Sequence, residues 1–224
     1  MEQTTVVANR QFIFTDQSLD EKLEITIPEI LDSSYGMFTW PCAPVLAQYL
    51  WYHRKWISDK TVFELGSGTA LPGIVAAKCG ANVHLSDTAK LSKCLQTSKK
   101  SCEANDVKDI KLHGLTWGQI NETMIKLDID KIDVIISSDC FYDTKDFDDI
   151  IFTVAFLIEK YKATEFVFTY QERSSSRCIE HLLDRWNFTG VQVPLSTFDA
   201  DKASIAGSGL PGNHTVHLFK VTTS

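Results

Sequence analysis

A chain of 224 residues is long enough for one domain with a sizeable core and short for two, and 44% hydrophobic with 23% charged residues excludes a disordered or low-complexity protein. With 22 basic and 29 acidic side chains the net charge is −7. That balance argues against direct nucleic-acid binding, which needs clustered Lys and Arg, and it suits a basic partner such as a Lys/Arg-rich protein tail.

The polar stretch Met1–Phe14 lacks a signal-like apolar segment, and no run approaches the roughly 20 apolar residues that span a bilayer. A soluble, non-membrane protein is expected. Cys42, Cys79, Cys94, Cys102, Cys140 and Cys178 form no CxxC pair and are irregularly spaced. This is the pattern of reduced thiols in a cytosolic or nuclear protein, with no metal site.

The predicted elements begin with a lead-in over residues 1–34. Gln11–Thr15 and Leu23–Ile27 alternate as a hairpin does, with Asp16–Asp20 as the turn. Pro41 and Pro44 then open a helix reaching about Lys55, since proline is tolerated where helical N–H groups have no partner. Strands are expected at Thr61–Leu65, Asn82–Ser86, Ile110–Gly114, Ile132–Ser137, Glu165–Tyr170, Val191–Pro194 and His214–Val221. Helical patterns separate the first six, at Leu71–Cys79, Lys90–Asn105, Thr144–Tyr161 and Ser176–Trp186. Such alternation means βαβ crossovers and a mainly parallel α/β sheet covered on both faces. Between Pro194 and His214 the glycines and Pro211 leave no room for a helix, so the last strand should return antiparallel to its neighbour. One domain over residues 1–224 is expected, the lead-in followed by a core over 35–224.

Chemistry concentrates at Val62–Gly73, where a strand ending in Glu64-Leu65 runs into Gly66-Ser67-Gly68 and on into a helix. Glycines there let a ligand approach the backbone. No Gly-Lys-Ser/Thr follows, which excludes a P-loop. Asp87 ends the next strand 21 residues after Gly66, the spacing of an acid that binds a ribose diol, although it also stands where it could cap the following helix. That spacing fits a dinucleotide and S-adenosyl-L-methionine alike. Glu64 separates them: a carboxylate beside the turn repels a pyrophosphate and welcomes an ammonium and a sulfonium.

Trp40-Pro41, the run Glu64–Gly73 and Ser138-Asp139-Cys140-Phe141-Tyr142 together resemble the seven-strand class I methyltransferases, and within them the methyltransferase-like group of protein methyltransferases. The runs Trp40–Ala43, Leu46–Trp51, Gly114–Gly118 and Phe198–Lys202 narrow the resemblance to one subgroup, over about Tyr35 to Val221. The resemblance implies a Rossmann-like seven-stranded, mostly parallel sheet with the last strand antiparallel, and S-adenosyl-L-methionine as cofactor. It implies that Trp40 lines the cofactor pocket and that Gly66, Ser67 and Gly68 form its floor. Asp87 would then hold the ribose, Trp117 would lie against the adenine, and Ser138 would close the pocket.

Asp139 and Tyr142 are the implied catalytic pair, at the mouth where donor meets acceptor. Asp143 and Glu172 are candidate helpers, and Tyr142 and Tyr170 candidate aromatic walls. The implied reaction is protein arginine methylation, with histone H3 as target, in nucleus and cytoplasm, by a monomer. Lysine methylation is the alternative acceptor chemistry, and a catalytically idle binding module the alternative class. Two departures stand out: Ala70, where relatives often carry Gly and a negative φ would be needed, and Thr116, where many carry an acid.

Overall fold

The computed structural model describes residues 7–30, 37–173, 179–209 and 215–223. Strands β1 (Val7–Asp16) and β2 (Glu21–Ile30) form an antiparallel hairpin whose register sets Phe12 against Ile25 and Phe14 against Leu23. Alternation sends Phe12, Phe14, Ile25 and Ile27 inward, where each is fully buried. Those four side chains contribute roughly 6–12 kcal/mol of apolar burial, an upper bound, enough to make the hairpin integral to the body.

Helix α1 (Cys42–Tyr52) follows, buried along Cys42–Trp51 because it lies between hairpin and sheet. The expected continuation to Lys55 is broken at His53, and a separate turn, α2 (Arg54–Ile57), completes it. Then come β3 (Thr61–Leu65), α3 (Leu71–Lys78), β4 (Asn82–Thr88), α4 (Ser92–Ala104), β5 (Lys111–Leu115), α5 (Glu122–Ile125), β6 (Val134–Ser138), α6 (Phe147–Tyr161), β7 (Glu165–Gln171), α7 (Ile179–Arg185) and β8 (Phe188–Val193). A two-residue hairpin, β9 (Ser204–Ile205) with β10 (Ser208–Gly209), precedes the final strand β11 (Val216–Thr223). Residues 1–6, 31–36, 176–178 and His214, which carried parts of the sequence expectations, lie outside the described residues, as does the proposed lead-in boundary.

The main sheet has seven strands in the order β5-β4-β3-β6-β7-β11-β8. The pairs β3–β4, β4–β5, β3–β6 and β6–β7 are parallel, and β11 is antiparallel to both its neighbours. The final strand therefore does not add to the edge beside β8 but inserts between β7 and β8. Alternate side chains of the strands feed two cores. Val62, Val134, Ile136 and Val167 pack with α1, α3 and the hairpin. Phe63, Leu65, Ile135, Phe166 and Phe168 pack with α6 and α7 on the other face.

From β3 the chain moves outward to β4 and β5 on one side, then returns to β6 and β7 on the other. That reversal is the switch point of a doubly wound sheet, and the crevice at the carboxyl ends of β3 and β6 is where such sheets bind ligands.

Candidate active site

The turn after β3 carries Gly66 at φ +68° and Gly68 at φ +51°, both in the left-handed region that glycine occupies without steric cost. Space makes glycine necessary at Gly66 as well: a Cβ there would collide with Cys140 Sγ and lie 3.2 Å from the Trp117 ring. Trp117 thus packs over the turn. Gly118, at φ +73°, lets the chain press onto α6, where its N–H donates to Thr153 Oγ1 at 3.0 Å.

Side chains far apart in sequence hold the turn. Ser67 N–H donates to Ser86 O at 2.9 Å, the Ser67 and Ser98 hydroxyls lie 3.0 Å apart, and Ser98 donates to Gly68 O at 2.8 Å. Thr69 meets Thr39 hydroxyl to hydroxyl at 3.0 Å, while Thr39 N–H donates to Glu29 of the hairpin at 3.1 Å. The lead-in hairpin is in this way wired to the glycine turn.

Asp87 sits half-buried at the end of β4. Its Oδ2 accepts from Gly68 N–H at 2.7 Å and its Oδ1 from Thr88 N–H at 2.7 Å. Burial pushes its carboxyl above the usual range, against those two N–H groups. It does not cap α4, which begins five residues later behind Leu91. Each carboxylate oxygen keeps a second lone pair for a hydroxyl donor.

Glu64 is 0% exposed. Its Oε2 accepts from Gly73 N–H at 2.9 Å, and its Oε1 has no hydrogen-bond partner among the described residues. Burial pushes its pKa up to about 8, opposed by the Gly73 N–H and reinforced by the charge of Asp87. This donor set tests the expected cofactor. Two acidic groups around a glycine turn supply no positive charge for a pyrophosphate. They match a ligand bearing an ammonium, a sulfonium and a ribose diol, and Glu64 Oε1 is a buried acceptor lacking its donor.

Ala70 departs from expectation. Its φ is +61°, not negative, so the methyl sits in the left-handed region at the start of α3. There an L-residue costs about 1–2 kcal/mol.

Across the switch point, β6 ends in half-buried Ser138 and then Asp139, at φ +56° with its N–H donating to Thr169 O at 2.9 Å. The Asp139 carboxylate is engaged by Arg173, Nη1 to Oδ1 at 2.9 Å and Nη2 to Oδ2 at 2.7 Å. Cys42, at the first turn of α1, also faces it; burial chiefly, and then Asp139's charge, raise the thiol's pKa. Tyr142 is half-buried just beyond, and Trp40, 42% exposed, packs edge-on to Phe38 beside α1.

The suggested helpers and walls have partners or packing of their own. Asp143 accepts from Lys145 N–H and pairs with its ammonium at 2.8 Å, capping the turn before α6. Glu172 pairs with His217 of β11 at 3.3 Å. Tyr170 is buried on the α6–α7 face and does not stand open as a wall. Arg173, Ser98, Cys140 and Gly118 were missed. Of these only Gly118 carried a local signal, a glycine directly after the motif tryptophan.

Comparison with known proteins now joins this geometry. Residues 19–182 match the family model described as lysine methyltransferase. The histone-arginine methyltransferase METTL23 of Xenopus laevis is 50% identical over 212 residues, covering 95% of this chain and 90% of that protein. The chain belongs to the lysine methyltransferase family, in its METTL23 group. The human METTL23 protein is 45% identical over 186 residues, covering 83% of this chain and 97% of its own length. Magnesium protoporphyrin IX methyltransferase from Synechocystis with bound SAM shares the fold, with a TM-score of 0.54 at 15% identity, covering 80% of each chain. Membership of the METTL23 group makes the chain an S-adenosylmethionine-dependent methyltransferase. Among the described residues no helix is long and apolar enough to cross a membrane, and no cluster of three or more His, Cys, Asp or Glu is arranged for a metal ion.

Proposed function

We propose that this methyltransferase modifies arginine side chains of a basic protein, with the histone H3 tail as the leading substrate, and that it works in nucleus and cytoplasm. The observation that carries the arginine reading is the Asp139 carboxylate, which accepts a guanidinium in a two-pronged fork at the end of β6. The METTL23 relatives named as histone-arginine methyltransferases support the same acceptor. The net charge of −7 favours a basic tail.

Bound S-adenosylmethionine supplies a methyl group on a sulfonium. The chain's own residues do the rest. Glu64 would hold the donor's ammonium and Asp87 its ribose hydroxyls, while Gly66–Gly68 would admit the ligand against the backbone. Arginine stays protonated at neutral pH, so it cannot be prepared by losing a proton in advance. A carboxylate must orient its nitrogen and disperse the charge, and Asp139 does this. Burial around Asp139 and the indole of Trp117 keep water from the reacting groups, and alignment provides most of the acceleration.

Lysine is the rival acceptor, favoured by the description of the family model. Incubation with isotope-labelled S-adenosylmethionine and core histones, with Asp87→Ala as control and mass spectrometry to locate the label, separates them. Label on an H3 arginine that the variant loses is the expected result. Label on lysine overturns the arginine reading; no label despite S-adenosylhomocysteine binding discards histone as substrate and makes lysine in another protein the leading reading.

A further inference from the structure

The carboxylate assigned above to the acceptor guanidinium already holds one. Asp139 is fixed: its backbone is in the left-handed region, its N–H is tied to Thr169, and Thr169 Oγ1 in turn donates to Cys42 O at 3.0 Å, binding the seat to α1. Arg173 is held differently. Among the described residues, its guanidinium makes one hydrogen bond apart from the fork, to Gln171 O at 3.2 Å. Its side chain is 30% exposed against 7% for Asp139. The acceptor is rigid and buried, and the donor reaches in from the solvent side just beyond β7.

We propose that Arg173 is a specificity-determining residue that occupies the seat of the acceptor arginine and is displaced when a substrate guanidinium enters. The proposal rests on the reading that Asp139 receives the acceptor. Exchange of one guanidinium for another preserves both hydrogen bonds and the local charge, so Asp139 is never left buried without a cation. An ammonium cannot reproduce two parallel N–H···O bonds, so a lysine displaces Arg173 poorly. The occupied seat also weakens every substrate by the fraction of time it stands open.

The test is Arg173→Gly, which empties the seat. Its thermal unfolding is measured with ethylguanidinium or ethylammonium at equal millimolar concentration. Its affinity for an arginine-bearing H3 tail peptide is then measured in the S-adenosylhomocysteine complex. Ethylguanidinium should raise the melting temperature of the variant and leave the parent unchanged, and ethylammonium should shift neither protein. The peptide should bind the variant about tenfold more tightly than the parent, with S-adenosylhomocysteine affinity unaltered. Arg173→Lys, which keeps charge but loses the fork, should fall between the two; it decides the matter if the glycine variant fails to bind S-adenosylhomocysteine. Peptide affinity equal to or below the parent's in a variant that binds S-adenosylhomocysteine normally overturns the displacement. If the parent labels lysine, the acceptor reading falls, and the ethylguanidinium response still reports whether the seat takes an incoming guanidinium. Arginine labelling with unchanged peptide affinity sinks the displacement alone.

Discussion

Glu64 and Asp139 are buried acids at the carboxyl ends of adjacent parallel strands, and they have opposite fates. Glu64 has a backbone N–H on one oxygen and, among the described residues, no partner on the other, and burial raises its pKa to about 8. Asp139 has a guanidinium across both oxygens. A buried carboxyl without a cation stays protonated until one arrives; a buried carboxylate with a cation must exchange it. The end of β3 is thus short of a positive charge, and the end of β6 already contains one.

The largest test of that contrast is pH. Glu64's folded-state pKa lies above its ordinary 4.5. Between about pH 4.5 and 8 the folded protein therefore binds the proton more tightly than the unfolded chain, and stability falls as pH rises through that window. The slope is about 1.4 kcal/mol per pH unit, some 4 to 5 kcal/mol in all. Denaturant unfolding of the cofactor-free protein should show this decline, and Glu64→Gln should flatten it while weakening S-adenosylhomocysteine binding. An equal slope in the variant would refute the neutral, waiting acid.

The Asp139–Arg173 pair should respond asymmetrically. Arg173→Gln strands a buried carboxylate and should cost about 3 kcal/mol, whereas Asp139→Asn leaves an arginine that can turn to water and should cost about 1 kcal/mol. Methyl transfer should nonetheless fall at least about 100-fold in Asp139→Asn with S-adenosylhomocysteine affinity retained, measured by single-turnover kinetics. Asp87→Ala should do the reverse, weakening S-adenosylhomocysteine about 10- to 100-fold by calorimetry through loss of a charged acceptor. The smallest effect belongs to Ala70→Gly. It relieves a left-handed alanine at about 1–2 kcal/mol and gives back 0.5–1 kcal/mol in chain entropy, for a net gain of about 0.5 kcal/mol and a melting temperature higher by about 1–2 °C.

Which parts of the site were legible follows from how far each interaction reaches along the chain. The glycine turn and the acid near 20 residues on were visible because a strand, a tight turn and a helix are local structures with local residue requirements. Asp87 was read correctly as an end-of-strand acid, but its grip on Gly68 N–H needed β3 and β4 side by side. The pairings of Asp143 with Lys145 and of Glu172 with His217 were not legible, the second because it needs β7 and β11 side by side. Arg173 carried no signal, because its meeting with Asp139 across 34 residues exists only once β6 and β7 pair in parallel register.

By itself the sequence determined the βαβ alternation, the two-faced burial of the central strands, the alternation of the lead-in hairpin and the family motifs. All of these follow from periodicity and short-range backbone preference. Only the tertiary structure decided that β11 enters between β7 and β8, that Ala70 is held at positive φ, and that one buried acid meets a backbone N–H while its neighbour meets a guanidinium. Those outcomes depend on strand order and on which side chains meet across the sheet. No local propensity encodes either, because the energies that select them are long-range packing and the desolvation of charge.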